Sequence, residues 1–107
     1  METITASELK ERQQNGEDLH LINVLPAVSF KKQHLRGSIN ISAYNEDFLD
    51  RIAALVSDQA DTLVLYCLTK SCNASSKAAQ RLDQAGYTQV FDFEGGVKEW
   101  LAAGYAI

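Results

Sequence analysis

Cys67 closes an apolar run, Leu63-Val64-Leu65-Tyr66-Cys67. A short polar loop, Leu68-Thr69-Lys70-Ser71-Cys72-Asn73, separates it from a stretch with helical spacing between Ala74 and Ala85. A thiol at the junction of a buried strand and a helix N-terminus sits where unpaired backbone N–H groups converge. Those donors, with the positive end of the helix dipole, favour the thiolate over the thiol. The chemistry this points to is that of sulfur or of a bound anion. The competing reading is structural, because a cysteine that ends a strand often serves only as a small buried hydrophobe.

The whole chain sets limits on that chemistry. With 107 residues, it is expected to fold as a single domain over 1–107, large enough for a core without covalent staples. A hydrophobic fraction of 46% and a charged fraction of 22% are ordinary for a globular protein. A net charge of −4 gives no electrostatic reason to expect nucleic acid or an anionic membrane as partner. No run approaches the roughly 18 apolar residues of a membrane span. Met1-Glu2-Thr3-Ile4-Thr5 has neither the basic nor the apolar region of a signal peptide. The expected location is therefore the cytoplasm, with Cys67 and Cys72 reduced at rest. Two cysteines in C-x4-C spacing, with both histidines well upstream, make a poor zinc pattern.

The elements that must position Cys67 alternate between strand and helix. Glu2 to Thr5 reads as a short edge strand, followed by a helix over Ala6 to Gln14 capped by Thr5 or Ser7 and ended by Asn15-Gly16. The nearly continuous apolar run from Leu19 to Val24 predicts a buried strand. Pro26 suits the first turn of a helix to about Gln33, and residues 38–41 suit a short strand. Asn45 is expected to cap a helix presenting Phe48, Leu49, Ile52, Leu55 and Val56 on one face. The strand from Thr62 to Cys67 and the helix with Ala74, Ala78, Leu82 and Ala85, stopped by Gly86, come next. A strand over Gln89 to Phe93, a turn at Glu94-Gly95-Gly96 and a helix over Val97 to Ala103, with Trp100 and Leu101 inward, complete the chain. Strands separated by helices imply right-handed crossovers and a mostly parallel sheet covered on both faces. The reactive crevice of such a sheet lies at the carboxyl ends of its strands, where Cys67 falls.

Five segments in this order carry a family resemblance: Leu-Ile-Asn-Val at 21–24, Gln33 to Ile41, Val64-Leu65-Tyr66-Cys67, Lys77-Ala78-Ala79 and Phe93-Glu94-Gly95-Gly96-Val97-Lys98-Glu99-Trp100. Together they resemble a single-domain rhodanese (sulfurtransferase) module, whose typical segments read LIDVR, GHIPGAINI, VVYC, KAA and LEGGIxxW. The resemblance implies an α/β three-layer fold with a five-stranded, mostly parallel sheet between helices. It also implies that Cys67 carries sulfane sulfur as a persulfide. Sulfur would come from a small donor such as thiosulfate and pass to a thiol or protein acceptor. No metal or organic cofactor is implied, and the oligomeric state is left open. Backbone N–H groups over the substrate-binding loop, Leu68, Thr69, Lys70, Ser71, Cys72 and Asn73, would form a nest for thiolate and persulfide anions. Thr69 and Ser71 would add hydroxyl donors, and Lys70 would attract an anionic donor.

Three features depart from the family pattern. Asn23 and Leu25 stand where LIDVR has its acidic and basic members. The stretch from Cys67 to Lys77 is two residues longer than in C-R-S-G-N-R-S-A-K-A-A and lacks arginine. Cys72 lies inside the loop, where a tight turn can bring the two thiols within disulfide range, Cα atoms closer than about 7 Å. Cys72 is thus a candidate resolving thiol, able to attack a persulfide or sulfenate at Cys67. Its alternative is inward packing. Two rivals to a sulfurtransferase follow. Cysteine-phosphatase chemistry needs C-x5-R for a bidentate guanidinium clamp, yet the sixth residue after Cys67 is Asn73 and the next arginine is Arg81. The other rival is a catalytically weak rhodanese-like module that binds a partner or senses redox state through the Cys67/Cys72 pair. Of the remaining polar groups, His34 suggests a structural role bonding backbone, and His20 has no partner evident from sequence.

Overall fold

The run Leu63-Val64-Leu65-Tyr66 is apolar at every position because its strand is buried on both faces and has neighbours on both edges. A computed structural model describes residues 1–107. The elements in chain order are β1 (Glu2–Thr3), α1 (Ala6–Gln14), β2 (His20–Asn23), α2 (Ala27–Lys32), β3 (Ile39–Asn40), α3 (Phe48–Leu55), β4 (Thr62–Tyr66), α4 (Ala74–Gln84), β5 (Gln89–Phe93) and α5 (Gly96–Ala102). The five strands form one parallel sheet in the order β1-β5-β4-β2-β3, so β4 is the central strand. This is the α/β, five-stranded, parallel architecture expected from the alternating pattern.

The two-residue period of β4 divides its side chains between two cores. Leu63, Leu65 and Cys67 face Phe48 and Ile52 of α3 and Ala78, Ala79 and Leu82 of α4. Val64 and Tyr66 face the other side, with Leu9 of α1 and Val97 and Trp100 of α5. Cys67 therefore enters the α3/α4 side of the molecule.

Local chemistry fixes the ends of several elements. Thr5 closes a capping box on α1: its hydroxyl accepts the Glu8 N–H (3.2 Å) and its own N–H donates to the Glu8 carboxylate (2.9 Å). Two expectations need correction. Asn45 does not cap α3; its carbonyl accepts the Phe48 N–H in a turn (3.2 Å), and Asp47 occupies the cap position without a side-chain bond. Leu101 points outward, 42% exposed, because Val97 and Trp100 form the buried stripe of α5 and a residue next to Trp100 lies about 100° around the helix.

Candidate functional site

Cys67 follows the last residue of β4 and is wholly buried. Two contacts hold the turn that follows against α5. The Val97 N–H donates to the Cys67 carbonyl (3.2 Å) and the Lys98 N–H to the Leu68 carbonyl (2.9 Å). Gly96, at φ +60°, makes this approach possible: a Cβ there would lie 2.3 Å from the Cys67 carbonyl oxygen. The Gly95-Gly96 pair is therefore a point of close backbone contact as well as a turn.

The Cys67 thiol has two acceptors, the Cys72 carbonyl at 3.5 Å and the Ser75 hydroxyl at 3.7 Å. Ser75, one residue into α4 and fully buried, donates in turn to Asp92 Oδ1 at 2.7 Å. Asp92 lies in β5 with 1% of its surface exposed. Burial pushes the Cys67 thiol up to about 11, and its position beside Cys72 adds to the rise. The Ser75 backbone N–H and hydroxyl work in the opposite direction and favour the thiolate. The one backbone donor at the sulfur, Ser75, lies past the 68–73 loop, whose Cys72 N–H already donates to the Thr69 carbonyl (3.1 Å). Desolvation outweighs the Ser75 groups and the resting thiol is protonated. Burial also raises the Asp92 carboxyl above the usual carboxylate range, with Glu94 adding to the rise and the Ser75 hydroxyl opposing it.

Of the loop residues, Cys72 is the one whose carbonyl accepts the Cys67 thiol hydrogen bond. It is half-buried and packs against the core cluster that contains Cys67, and both cysteines are free thiols. Thr69 and Ser71 hydrogen-bond to each other (2.8 Å) at the surface. Lys70 extends into solvent, with its ammonium 3.9 Å from the Glu94 carboxylate. Leu68 is exposed, and Asn73 precedes α4 without a side-chain capping bond. Lys70 and Lys98 flank a hollow of about 390 Å³ that also includes Thr69 and Ser71. A second groove, about 200 Å³, runs between Tyr44 and the first turns of α4, with Lys77 and Arg81 on its wall. No cluster of three or more His, Cys, Asp or Glu side chains has metal-binding geometry.

The site contains two residues that the sequence reading did not single out, Ser75 and Asp92. Asp92 had a visible signal: an aspartate is disfavoured in a strand interior, and here it interrupts Val90-Phe91-Asp92-Phe93 at the position that faces α4. The histidines are structural. His34 Nδ1 lies 2.7 Å from the Phe30 carbonyl and its ring stacks on Phe30, while His20 pairs with Asp61 at 3.2 Å. Asn23 is buried and its side-chain oxygen accepts the Leu25 N–H (2.9 Å), leaving its amide nitrogen unpartnered.

The family model described as "Rhodanese-like domain" matches residues 5–103. The chain belongs to the rhodanese-like domain family. It is 34% identical over 80 residues to the thiosulfate sulfurtransferase PspE of Escherichia coli, a match covering 75% of this chain and 72% of that protein. It is also 31% identical over 106 residues to an HTH-type transcriptional regulator of Mycobacterium tuberculosis; that match covers 99% of this chain but only 44% of the regulator. Among solved structures, the thiosulfate sulfurtransferase of Pseudomonas aeruginosa superposes with a TM-score of 0.87 over 99% of this chain and 20% of that one. At 18% identity that likeness speaks to the fold alone. No helix is long and apolar enough to cross a membrane.

Proposed function

We propose that the protein is a sulfurtransferase, or persulfide carrier, in which Cys67 bears the transferred sulfur. The observation that carries this reading is the placement of Cys67 at the carboxyl end of the central strand, against Ser75 at the start of α4, in a chain of the rhodanese-like family. In the first half-reaction the Cys67 sulfur, having lost its proton, attacks the outer sulfur of thiosulfate. The donor S–S bond breaks, sulfite leaves with the bonding pair, and Cys67 is left as a persulfide anion. In the second, cyanide in the test tube or a small or protein thiol in the cell takes the outer sulfur, and the Cys67 thiolate returns. The wholly buried sulfur meets a donor only when loop residues 68–73 shift outward. Lys77 and Arg81, on the groove along the first turns of α4 and so on the side of the sheet that Cys67 enters, favour an anionic donor there. The cytoplasm, where thiols stay reduced, suits this cycle.

The test is the intact mass of reduced protein after incubation with thiosulfate. A gain of one sulfur in the wild type and in Cys72→Ser, absent in Cys67→Ser and discharged by cyanide, is expected. No adduct with thiosulfate or a persulfide donor would contradict the reading.

One observation favours a second reading, a redox-sensing or binding module: Cys72 packs beside the buried Cys67 and accepts its thiol hydrogen bond. Peroxide would oxidise one of the two thiols to a sulfenic acid, and the other would displace water to close a disulfide. If both thiols remain titratable after mild peroxide treatment, that reading fails.

A further inference from the structure

Among the polar groups in the α3/α4 core, one chain of contacts leads inward from the reactive sulfur: Cys67 Sγ to Ser75 Oγ (3.7 Å), and Ser75 Oγ to Asp92 Oδ1 (2.7 Å). Its polarity is that of a proton wire, with the thiol donating to the hydroxyl and the hydroxyl to the carboxylate. Ser75 and Asp92 are both more than nine-tenths buried, so Asp92 has no surface role. Its main-chain carbonyl, which accepts the Ile4 N–H (3.1 Å), already does the strand's structural work. A carboxyl buried here costs desolvation that its hydrogen bond from Ser75 offsets only in part.

We propose that Ser75 and Asp92 form a relay that takes the Cys67 proton as the sulfur attacks its donor, with Ser75 touching the reacting atom and Asp92 acting behind it as the positioning and proton-holding residue. The inference rests on the reading of Cys67 as the sulfur-bearing thiol. In the step, the S–H bond breaks and its electron pair stays on sulfur. The proton passes to Ser75 Oγ while the serine's own proton moves to Asp92 Oδ1. The cluster begins with one negative charge on the carboxylate and ends with one on the sulfur, so no second charge is created in the core. A thiol raised to about 11 needs such an acceptor, because free ionisation at neutral pH is rare.

The charged neighbourhood is sparse. Glu94, just beyond β5, adds negative potential at Asp92, and Cys72 lies across the loop. From α4, Lys77, Arg81 and Asp83 are exposed, and Asp83 pairs with the Met1 amino group. From β1, Glu2 is exposed, and the β4 residue beside Asp92 is Leu65. No cation faces the relay.

The pH profile of sulfur loading separates a relay from a packing role. Initial rates of loading from thiosulfate are measured by intact mass in a Cys72→Ser background, for Asp92→Asn and Ser75→Ala beside the parent, with folding checked by thermal melting. A one-proton cluster whose charge is merely redistributed gives a parent rate that changes less than about threefold between about pH 7 and pH 8. Either substitution breaks the wire, and the rate then follows ionisation of a lone thiol, rising about tenfold over the same interval. Parallel profiles in parent and folded variants would overturn the relay while leaving Cys67 as the sulfur carrier. Failure of the parent to load at any pH would overturn both. Should Asp92→Asn fail to fold, Ser75→Ala alone decides, since it keeps the carboxylate and removes only the bridge.

Discussion

Cys67 and Asp92 cannot both be ionised cheaply in the space between β4, β5 and α4, because burial penalises each anion and no cation is at hand. The sequence places a cysteine before a helix start, which is the setting of a low-pKa thiol. What it does not reveal is how deeply the turn at Cys67 is covered, since that depends on α5 backbone arriving from about thirty residues later in the chain. Two predictions follow at this scale. With its thiol near 11 in place of about 9, resting Cys67 should hold about a hundredfold less thiolate at neutral pH than an ordinary cysteine. Timed alkylation followed by peptide mapping should therefore label Cys72 first, and labelling of Cys67 should accelerate under mild urea; preferential labelling of Cys67 in buffer would contradict the burial. Stability should also respond to Asp92. Its folded pKa is raised, so from roughly pH 4 up to the folded value the unfolded chain ionises first and stability falls as pH rises. Asp92→Asn should lack that decline, as read from denaturant midpoints across the window.

The elements hold the site by backbone contacts that side-chain patterns only hint at. The period-2 and helical spacings predicted α1 and β5 at their observed bounds and α4 to within a residue, because those segments bury a continuous face. They missed the start of α3, where a turn and not a side-chain cap precedes Phe48. Gly-Gly at 95–96 read as a turn, whereas its close approach to Cys67 needs the tertiary contact to be seen. Gly96→Ala should lose about 1–3 kcal/mol to backbone strain and more to the clash, and should slow sulfur loading by displacing Cys67. Gly37→Ala is the control. It has comparable positive φ (+81°) with open space around it, and should show the strain without the loss of loading. Equal loading rates in the two variants would contradict the role given to Gly96. Tyr66 makes a second tie. Its hydroxyl accepts the Leu35 N–H (2.9 Å) and bonds the Ser38 hydroxyl (2.7 Å), anchoring the segment before β3 to the strand that ends at the site. Tyr66→Phe orphans the buried Leu35 N–H and should cost about 1–3 kcal/mol in chemical denaturation.

Across the whole molecule, the sheet separates an aromatic-rich face from one that holds both cysteines. The α1/α5 face packs aromatics, with Trp100 edge-on to Phe93 and Tyr105, and has no thiol. The α3/α4 face holds Cys67, with Cys72 packed against it, together with Ser75 and Asp92. The family was legible because its five segments are those that build β2, β4, α4, the β5–α5 junction and the approach to β3. The relay was not, because it joins residues seventeen apart through a helix–strand contact that no local spacing encodes. Asn23, where the family pattern has an acidic residue, accepts the Leu25 N–H through its side-chain oxygen and leaves its amide nitrogen unpartnered. What makes the molecule a sulfur carrier, in this account, is the thiol at the end of its central strand. The direct measurement is the location of the transferred sulfur: protein loaded from thiosulfate is alkylated, digested and mapped for the cysteine that carries the extra atom. The account predicts it on Cys67, in the wild type and in Cys72→Ser alike; sulfur found only on Cys72, or on neither cysteine, would contradict it.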